Sequence, residues 1–249
     1  MMLTVRGLVL RVVPFRDYDK LVTVLTEDRG KLFFSANAVR SIVNPNSAAC
    51  NPFTFSEFVL REKQDRYYLS KAQVLKQPLG YNCGVKALAV ASYFAELCED
   101  VGRDEEGARI CLYLLMNALS LLKKEDRPVE LIKAIFELRL ISALGFLPQL
   151  DACGVCGKVL EENRAHFHFA EGTVFCADCA ANTDAIFVSD SCLALAKRSI
   201  SAKENEAYAV KATDKLLNEF SVFCEKYLLA QLQRGFSTLD FYHKIEDPQ

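Results

Sequence analysis

The sequence has no apolar run long enough to cross a membrane. Its longest apolar stretches, such as GLVLRVV at residues 7–13, are interrupted by arginine within a few positions, whereas a membrane-spanning helix needs about 20 consecutive apolar residues. The amino terminus also lacks the basic leader, the clean apolar core and the small-residue cleavage site of a targeting peptide. We therefore expect a cytoplasmic protein with no membrane partner.

The chain also lacks the motifs of common catalytic sites. It contains no Gly-x-x-x-x-Gly-Lys-Ser/Thr segment that would bind nucleotide phosphates. Its three histidines, His166, His168 and His243, form no plausible catalytic triad with a nucleophile and a carboxylate. We therefore predict that the protein is not an enzyme.

The composition is that of an ordinary globular protein, with 51% hydrophobic and 25% charged residues in a chain of 249. The net charge of −2 conceals an uneven distribution. Residues 1–80 contain twelve Lys and Arg against seven Asp and Glu, whereas the remainder contains eighteen against twenty-five. A polyanionic ligand would therefore be bound by the first third of the chain.

Residues 1–76 predict five short strands. Each strand segment is rich in Val, Leu, Phe, Tyr and Thr, and the segments between them, such as PFRDYD and NPNSAACNP, are typical of turns. Five strands with a longer loop after the third favour a small closed barrel of the OB type, although an SH3-like barrel has the same periodicity. The predicted strands are residues 3–13, 20–27, 30–39, 53–62 and 65–75.

From residue 82 onward, the apolar residues repeat with the period of helices, which most simply form one bundle. The predicted helices are residues 85–101, 108–124, 128–145, 190–200 and 206–234. We therefore predict an α+β multidomain chain. An OB-fold domain at residues 1–80 precedes an α-helical bundle domain at residues 81–249, which a cysteine-rich insertion interrupts at residues 151–182.

Four cysteines in this insertion have the spacing of a structural zinc site. They read C-x2-C-x19-C-x2-C, which is within the range of zinc sites built from four thiolates, and they are Cys153, Cys156, Cys176 and Cys179. The segments RAHFHF and TVF between the pairs predict a hairpin that returns the second pair to the first. The ion would cross-link a hairpin too small to bury its own core, contributing on the order of 10 kcal/mol or more to local folding.

Other interpretations of the insertion are weaker. A catalytic zinc needs three protein ligands and an open position. A thioredoxin-like dithiol needs a Cys-x-x-Cys at the start of a helix after a strand, and neither pair is predicted to have that setting. His166 or His168 could in principle replace a cysteine, but both fit partly exposed hairpin positions. The remaining cysteines are predicted to be small, mostly buried apolar residues: Cys50, Cys83, Cys98, Cys111, Cys192 and Cys224.

The predicted barrel combines cations with aromatic residues. Sequence-tolerant binding of a single-stranded nucleic acid needs cations for phosphates and aromatic faces for bases. Aromatic residues in a barrel are more often core, and scattered Lys and Arg are more often solvated surface, so both interpretations stay open. The aromatic residues are Phe15, Tyr18, Phe33, Phe34, Tyr67 and Tyr68, and the cations include Arg61, Lys63, Arg66, Lys71 and Lys76.

Several stretches together resemble one protein family. GLVLRVVPFRDYDKLVTVLTEDRGKL at residues 7–32 resembles the opening of the RecO family of recombination mediators. FELRLISALGFLPQLDACGVCG at residues 136–157 is similar to that family's helix leading into the first cysteine pair. FCADC closes the zinc motif, and KYLLAQLQRGFSTLDFY resembles the family's last helix and tail.

The resemblance implies a cytoplasmic, nucleoid-associated bacterial factor of DNA repair and recombination, with an OB domain and a zinc-binding insertion in its helical domain. Such proteins bind single- and double-stranded DNA and anneal complementary strands. They contact the single-strand binding protein and act with RecR to help load RecA. No catalysis is implied.

One loop departs from the family pattern. Relatives carry a basic run after the third strand, but ANAVRSIVNPNSAACNP keeps only Arg40 there. DNA binding is therefore expected to depend on that residue and on cations of the strands and their turns, namely Arg6, Arg11, Arg16, Lys20 and Lys31. If about four phosphates are neutralised, affinity for single strands should fall ~50-fold between 50 and 200 mM salt.

Two other functions are compatible with the same fold. A protein-interaction adaptor of a repair complex would have little intrinsic DNA binding, which the poorly basic loop and the acidic remainder of the chain favour. A zinc-dependent hydrolase would lose activity on chelation while its fold survived. A DNA titration at several salt concentrations separates the mediator from the adaptor.

Overall fold

The computed structural model describes residues 1–41, 43–80, 82–160 and 164–246. Residue 42 of the loop after the third strand and residues 161–163 of the predicted insertion therefore lie outside the described residues. Contacts divide the chain into two compact units, Met1–Arg127 with Phe236–Gln249, and Pro128–Gly235. No helix in the described ranges is both long enough and apolar enough to span a membrane.

The first unit contains a closed five-stranded barrel, as the sequence predicts. Its order is β1-β2-β3-β5-β4, with antiparallel pairs except for the parallel pair between the third and fifth strands. This is the arrangement of an OB-type barrel. The strands are β1 Met2–Phe15, β2 Asp19–Thr26, β3 Lys31–Ala36, β4 Phe55–Lys63 and β5 Arg66–Lys76.

The barrel core explains the apolar run in β1. Val5 and Val9 point into the barrel, where they pack with Phe34 and Phe58. Leu8 is fully buried without belonging to that inner cluster, and helices of the same unit contact this strand from outside. A strand covered on both faces has no alternating polar positions, so GLVL reads as a continuous apolar segment.

Three helices complete the first unit: α1 Val85–Val101, α2 Glu105–Lys124 and α8 Ser237–Glu246. The carboxylate of Glu96 in α1 accepts hydrogen bonds from the start of α8, including one from the Thr238 amide at 3.0 Å. Burial raises the pKa of this carboxyl, but the hydrogen bonds from Thr238 and Ser237 outweigh burial and lower it below its usual value. The ionised carboxylate is therefore the form that holds α8.

The second unit is built on α3 Val129–Ala143, α5 Asp190–Ser201 and α7 Asp214–Leu232. Lys133 of α3 is fully buried, with its Nζ 2.8 Å from Glu137 Oε1 and 2.6 Å from Glu225 Oε2 of α7. Burial lowers the pKa of this ammonium, but the two carboxylates outweigh burial and raise it. A charged cluster therefore links the two helices at their interface.

The cysteine insertion adds a small sheet to the second unit. The sheet consists of β6 His166–His168, β7 Thr173–Phe175 and β8 Ile186–Phe187 in the order β7-β6-β8. The strand β8 lies beyond residue 182, where the predicted insertion ends. The first two strands form the hairpin predicted between the cysteine pairs. The four-residue helix α4 Ala177–Ala180 lies between β7 and β8, and a second one, α6 Glu204–Ala207, follows α5.

Two predicted helix starts are wrong, since the helix predicted from residue 108 begins at Glu105. The helix predicted from residue 206 begins at Asp214, because Thr213 caps it by accepting a hydrogen bond from the Leu216 amide at 3.3 Å. It ends at Leu232, since Gln233 has a φ of 53° in the left-handed region. The apolar stripe from Leu216 to Tyr227 that indicates the helix lies wholly within α7.

Candidate nucleic-acid groove and metal centre

The candidate nucleic-acid site is a groove of about 510 Å³ on one end of the barrel. The β1–β2 turn, the β4–β5 turn and the intervening strand β3 form its walls. In OB folds, oligonucleotides bind against the second and third strands between these same two turns. The groove therefore occupies the ligand-binding position of the fold.

Aromatic side chains line the groove from three strands. Phe15 of β1 is 39% exposed and Phe33 of β3 is 55% exposed. Tyr67 and Tyr68 of β5 lie opposite β3 in the parallel pair, and both are half-buried. Phe34 also contacts the groove but belongs to the core, with its ring 5.1 Å from that of Phe58. Phe15 and Phe33 are thus the exposed rings available for stacking against bases, whereas Tyr67 also packs against the barrel core.

Two arginines line the same groove. Arg16, in the β1–β2 turn, lies with its guanidinium 5.1 Å from the centre of the Phe15 ring. Arg66 begins β5 on the opposite wall, and no carboxylate of the described residues lies within ion-pair distance of it. A cation on each wall can contact successive phosphates of one strand.

Three of the six predicted DNA-binding cations contact glutamate residues of the protein. Arg6 pairs with Glu57 across β1 and β4 at 2.9 Å, and Arg11 pairs with Glu99 of α1 at the same distance. Lys31 Nζ donates to the backbone oxygen of Glu99 and lies 5.7 Å from the centre of the Phe33 ring. A phosphate would have to compete with these contacts.

The other predicted cations lie near the groove in different roles. Lys20 donates to Asn51 Oδ1 at 3.4 Å, which ties β2 to the loop after η1, a short 3₁₀ helix at Ala48–Cys50. Arg40 donates from Nη1 to the backbone oxygen of Arg16 at 3.4 Å. Arg16 is therefore the one predicted DNA-binding residue that lines the groove itself.

Arg66 is a groove residue that the sequence analysis counts among the barrel cations but not among the predicted DNA-binding residues. Its position follows from a two-residue turn, Gln64 and Asp65, both with left-handed φ near +50°. This geometry is that of a type I′ hairpin turn, which usually contains Asn and Gly. Because the turn residues are atypical, the strand register that places Arg66 beside β3 cannot be inferred from them.

The four predicted zinc ligands come together in the second unit. The Sγ atoms of Cys153, Cys156, Cys176 and Cys179 all lie within 4.8 Å of one another. The distance between Cys156 Sγ and Cys176 Sγ is 3.8 Å. A tetrahedral ion with metal–sulfur bonds of about 2.3 Å needs sulfurs about 3.8 Å apart. The donor set therefore fits a four-thiolate metal ion.

The local backbone explains why these sulfurs converge. A tight turn closed by the Gly157 amide, which donates to the Cys153 oxygen at 2.8 Å, presents the first pair. Gly157 has a φ of +72°, so glycine is favoured there. Gly154 is needed for space, since a Cβ at that position would lie 2.6 Å from Thr173 Oγ1. The second pair spans the start of α4, directly after β7, with Cys176 as the N-cap residue. The prediction that neither pair lies at the start of a helix after a strand is therefore wrong for the second pair.

The thiols have unequal proton affinities. Burial raises the pKa of Cys153, but the backbone hydrogen bonds from Cys156 and Cys176 outweigh burial and lower it to about 6. Hydrogen bonding to Cys176 raises the pKa of Cys179 to about 12. Four adjacent sulfurs do not all ionise without a cation, whereas coordination to a divalent ion deprotonates them outright. The cluster therefore has the chemistry of a metal centre.

The two hairpin histidines are placed apart from this cluster. His168 Nε2 lies 2.7 Å from Asp184 Oδ1, and its Nδ1 accepts from the Glu171 amide at 3.2 Å. His166 makes an edge contact with the Phe187 ring. Both are half-buried hairpin residues, as expected from their positions.

The remaining cysteines are free thiols, mostly in buried positions. Burial raises the pKa of Cys50 and of Cys192 to about 12. Cys83 is half-buried, and Cys98, Cys111 and Cys224 are buried. The expectation of small buried apolar residues is confirmed for five of the six.

The chain combines an OB-type barrel, a class of fold that binds oligonucleotides and oligosaccharides, with a helical region whose four clustered cysteines could hold a metal ion. Comparison with known proteins specifies the family. Residues 1–78 match the family model "Recombination protein O N terminal", and residues 85–240 match "Recombination protein O C terminal". The chain therefore belongs to the RecO family of DNA repair proteins.

Similar curated proteins agree. The DNA repair protein RecO of Caldicellulosiruptor bescii is 29% identical over 97% of this chain and 98% of its own length. That of Acetivibrio thermocellus is 24% identical over 96% of both chains. That of Anaeromyxobacter sp. strain Fw109-5 is 35% identical over 72% of this chain and 70% of its own length. The resemblance seen in the sequence is confirmed.

Proposed function

We propose that this RecO-family protein is a non-enzymatic recombination mediator that binds single-stranded DNA in the barrel groove. The observation that carries the proposal is the arrangement of exposed aromatic rings between two arginines, Arg16 and Arg66, on opposite walls. Bases would stack on the rings while the guanidinium groups contact phosphates. The groove supports a single strand as ligand, because stacking requires unpaired bases.

The proposed mechanism of annealing is electrostatic. Two complementary strands repel each other, and cations that neutralise phosphates lower that repulsion without making or breaking a covalent bond. Double-stranded DNA would contact the outer cations through its backbone. The protein would thereby bring strands together on DNA coated with single-strand binding protein and help load the recombinase RecA.

We further propose that the four-cysteine centre holds structural Zn²⁺. The residues that would hold the ion are Cys153, Cys156, Cys176 and Cys179, and their spacing supports this assignment. A bound ion would cross-link a hairpin that has only a small core, formed by Cys153, Phe175 and Ala180. Because all four positions are thiolates, the centre would have no open site for a substrate.

The partners, location and domain division are also proposals. Single-strand binding protein and RecR are the protein partners that the family membership supports, with a cytoplasmic, nucleoid-associated location. The division into an OB domain at residues 1–80 and a helical domain at residues 81–249, with its insertion at 151–182, stays a prediction. Limited proteolysis followed by mass spectrometry of the fragments would test those boundaries.

The test is a fluorescence anisotropy titration of a labelled oligothymidylate at several salt concentrations. Arg16→Gln/Arg66→Gln should reduce the log–log salt slope by about 1.4, because each single-strand phosphate contact contributes about 0.7. At 0.1 M salt, affinity should fall about 25-fold. Complementary-strand annealing should slow in parallel.

A matched control removes the same charge from elsewhere in the first unit. Arg29 lies in the β2–β3 turn, at the other end of β2 from the groove, and Arg103 lies between α1 and α2. Both are exposed. Arg29→Gln/Arg103→Gln should leave the salt slope unchanged. Equal losses in both double variants would mean that net charge, and not the groove, determines binding.

The second candidate function is an interaction adaptor with little intrinsic DNA binding. The contacts of Arg6, Arg11 and Lys31 with glutamate groups of the protein favour it, since they reduce the number of available cations. The same titration decides between the two functions. An affinity weaker than about 10⁻⁴ M at physiological salt, the weak end of non-specific DNA binding, would favour the adaptor.

A further inference from the structure

We propose, on the basis of the proposed groove function, that Asp19 is a positioning residue for DNA binding. Asp19 belongs to the Asp-Lys-Leu step at the start of β2 and lines the groove. Its carboxylate fixes the conformation of the turn after β3. The residues of that turn hold Arg16 in the orientation needed to contact a phosphate. Asp19 therefore acts through Arg16 and does not itself bind DNA.

The first of the contacts that connect Asp19 to Arg16 joins Asp19 to Ala38. Asp19 Oδ1 accepts a hydrogen bond from the Ala38 amide at 2.9 Å. Ala38 has a φ of 55°, a left-handed conformation that costs an L-residue free energy. The hydrogen bond offsets that cost, so the carboxylate determines the shape of the turn that follows β3.

The second set of contacts joins this turn to the turn between β1 and β2. The Arg40 amide donates to the Tyr18 oxygen at 3.1 Å, and Arg40 Nη1 donates to the Arg16 oxygen at 3.4 Å. Arg40 thus contacts the β1–β2 turn at both of its ends. Its place two residues after Ala38 makes these contacts depend on the conformation that Asp19 fixes.

The last step is the conformation of Arg16. Its φ of 56° is left-handed, and for a residue other than glycine such a conformation persists only where the surroundings hold it. If the contacts to Arg40 are lost, the backbone can return to the ordinary region at φ near −60°. That change, of roughly 115°, would redirect the side chain away from the Phe15 ring and the groove.

A purely electrostatic role for Asp19 makes the opposite prediction. A carboxylate in a groove that binds phosphates repels them, so its neutralisation alone should strengthen binding. Asp19→Asn and Asp19→Ala remove the same charge, but only the asparagine retains an oxygen that can accept the Ala38 hydrogen bond. A comparison of the two variants therefore separates the effect of losing the Ala38 hydrogen bond from the effect of losing the negative charge.

The experiment measures oligothymidylate affinity and its salt slope for the full-length protein. Asp19→Ala should weaken binding about fivefold at 0.1 M salt and reduce the salt slope by about 0.7, the contribution of one phosphate contact. Asp19→Asn should restore the affinity and slope that the alanine variant loses. In an Arg16→Gln background, Asp19→Ala should cause no further loss, because the two residues act through one contact.

A second variant keeps the inference testable if Asp19→Ala disturbs folding. Adding Ala38→Gly should recover binding, because glycine adopts the left-handed turn conformation without a hydrogen bond to hold it. Circular dichroism of each variant checks that the barrel is folded.

Three results would overturn the positioning role of Asp19. Asp19→Asn and Asp19→Ala could raise the DNA affinity equally, or they could lower it equally. The losses of affinity in Asp19→Ala and Arg16→Gln could also prove additive. An unchanged affinity in Arg16→Gln alone would instead refute the proposed groove, and the positioning role with it. A loss in Arg16→Gln without any loss in Asp19→Ala would refute only the role of Asp19.

Discussion

The buried charged cluster between α3 and α7 gives a prediction with a large expected effect. Lys133 and Glu137 have no exposed side-chain surface, and Glu225 is 20% exposed. Lys133→Met keeps most of the side-chain volume but leaves two carboxylates without their cation. Breaking a buried ion pair by removing one partner typically costs about 3–5 kcal/mol, so the free energy of unfolding of the second unit should fall by about that amount.

A second substitution should reverse most of the loss. In Lys133→Met/Glu137→Gln, the fully buried negative charge is gone, and the partly exposed Glu225 can remain solvated. Replacing a buried ion pair by neutral groups is often close to neutral for stability. The double variant should therefore be more stable than the single one, although it differs from the native chain at more positions.

The pH dependence provides an independent test of the same reasoning. In Lys133→Met, burial without a cation should raise the folded-state pKa of Glu137 above its unfolded value of about 4.3. Stability from such a group is present below the unfolded pKa and is lost as pH rises through the folded pKa. The loss in free energy of unfolding of Lys133→Met should thus be smaller at pH 5 than at pH 8. The double variant lacks the Glu137 carboxyl, so it should not show this pH dependence.

The assay is urea unfolding followed by circular dichroism at 222 nm, which reports on the helices. Release of the proposed Zn²⁺, followed with a metal-sensitive dye, would identify the transition of the second unit. A loss below about 1 kcal/mol for Lys133→Met, or a double variant no more stable than the single one, would refute the view that the ammonium neutralises buried carboxylates.

Three further predictions concern other parts of the chain. Cys176→Ser should abolish stoichiometric zinc binding and expose the insertion to proteolysis, as elemental analysis and protease digestion would show. Gln64→Asn/Asp65→Gly should stabilise the barrel by about 1–2 kcal/mol, since both positions have left-handed φ; thermal unfolding measures the gain, and a loss would contradict it. Glu96→Gln should weaken the attachment of α8, and it should reduce the acid sensitivity of that attachment. The native carboxyl has a lowered pKa, so its stabilisation is lost as pH falls through that value. Hydrogen exchange of α8 between pH 3 and 7, roughly the range in which carboxyls titrate, tests this, and unchanged exchange would refute it.

Local sequence features predict much of the barrel and of the metal centre. The five strands follow from alternating apolar residues and from turn residues between them, and each predicted strand overlaps an observed one. The four cysteines follow from their spacing, because a Cys-x-x-Cys turn imposes the distance between two ligands regardless of the rest of the fold. Features that depend on a few neighbouring residues are therefore predictable.

Features that depend on distant residues are not predictable in the same way. Arg11 and Glu99 are 88 positions apart, and nothing near either residue indicates that they pair. Arg66 reaches the groove only because β5 lies beside β3 in a parallel pair. The division of the helices between two compact units likewise depends on packing, since apolar periodicity shows that a helix needs a partner but not which one.

Photocrosslinking most directly tests whether single-stranded DNA binds in the barrel groove. A single-stranded oligonucleotide containing 5-iododeoxyuridine is irradiated with the full-length protein, and mass spectrometry identifies the attached peptides. Binding in the groove predicts attachment at Phe33, Tyr67 or Tyr68, with competition by unlabelled single strands. Attachment confined to residues 128–235 would contradict it.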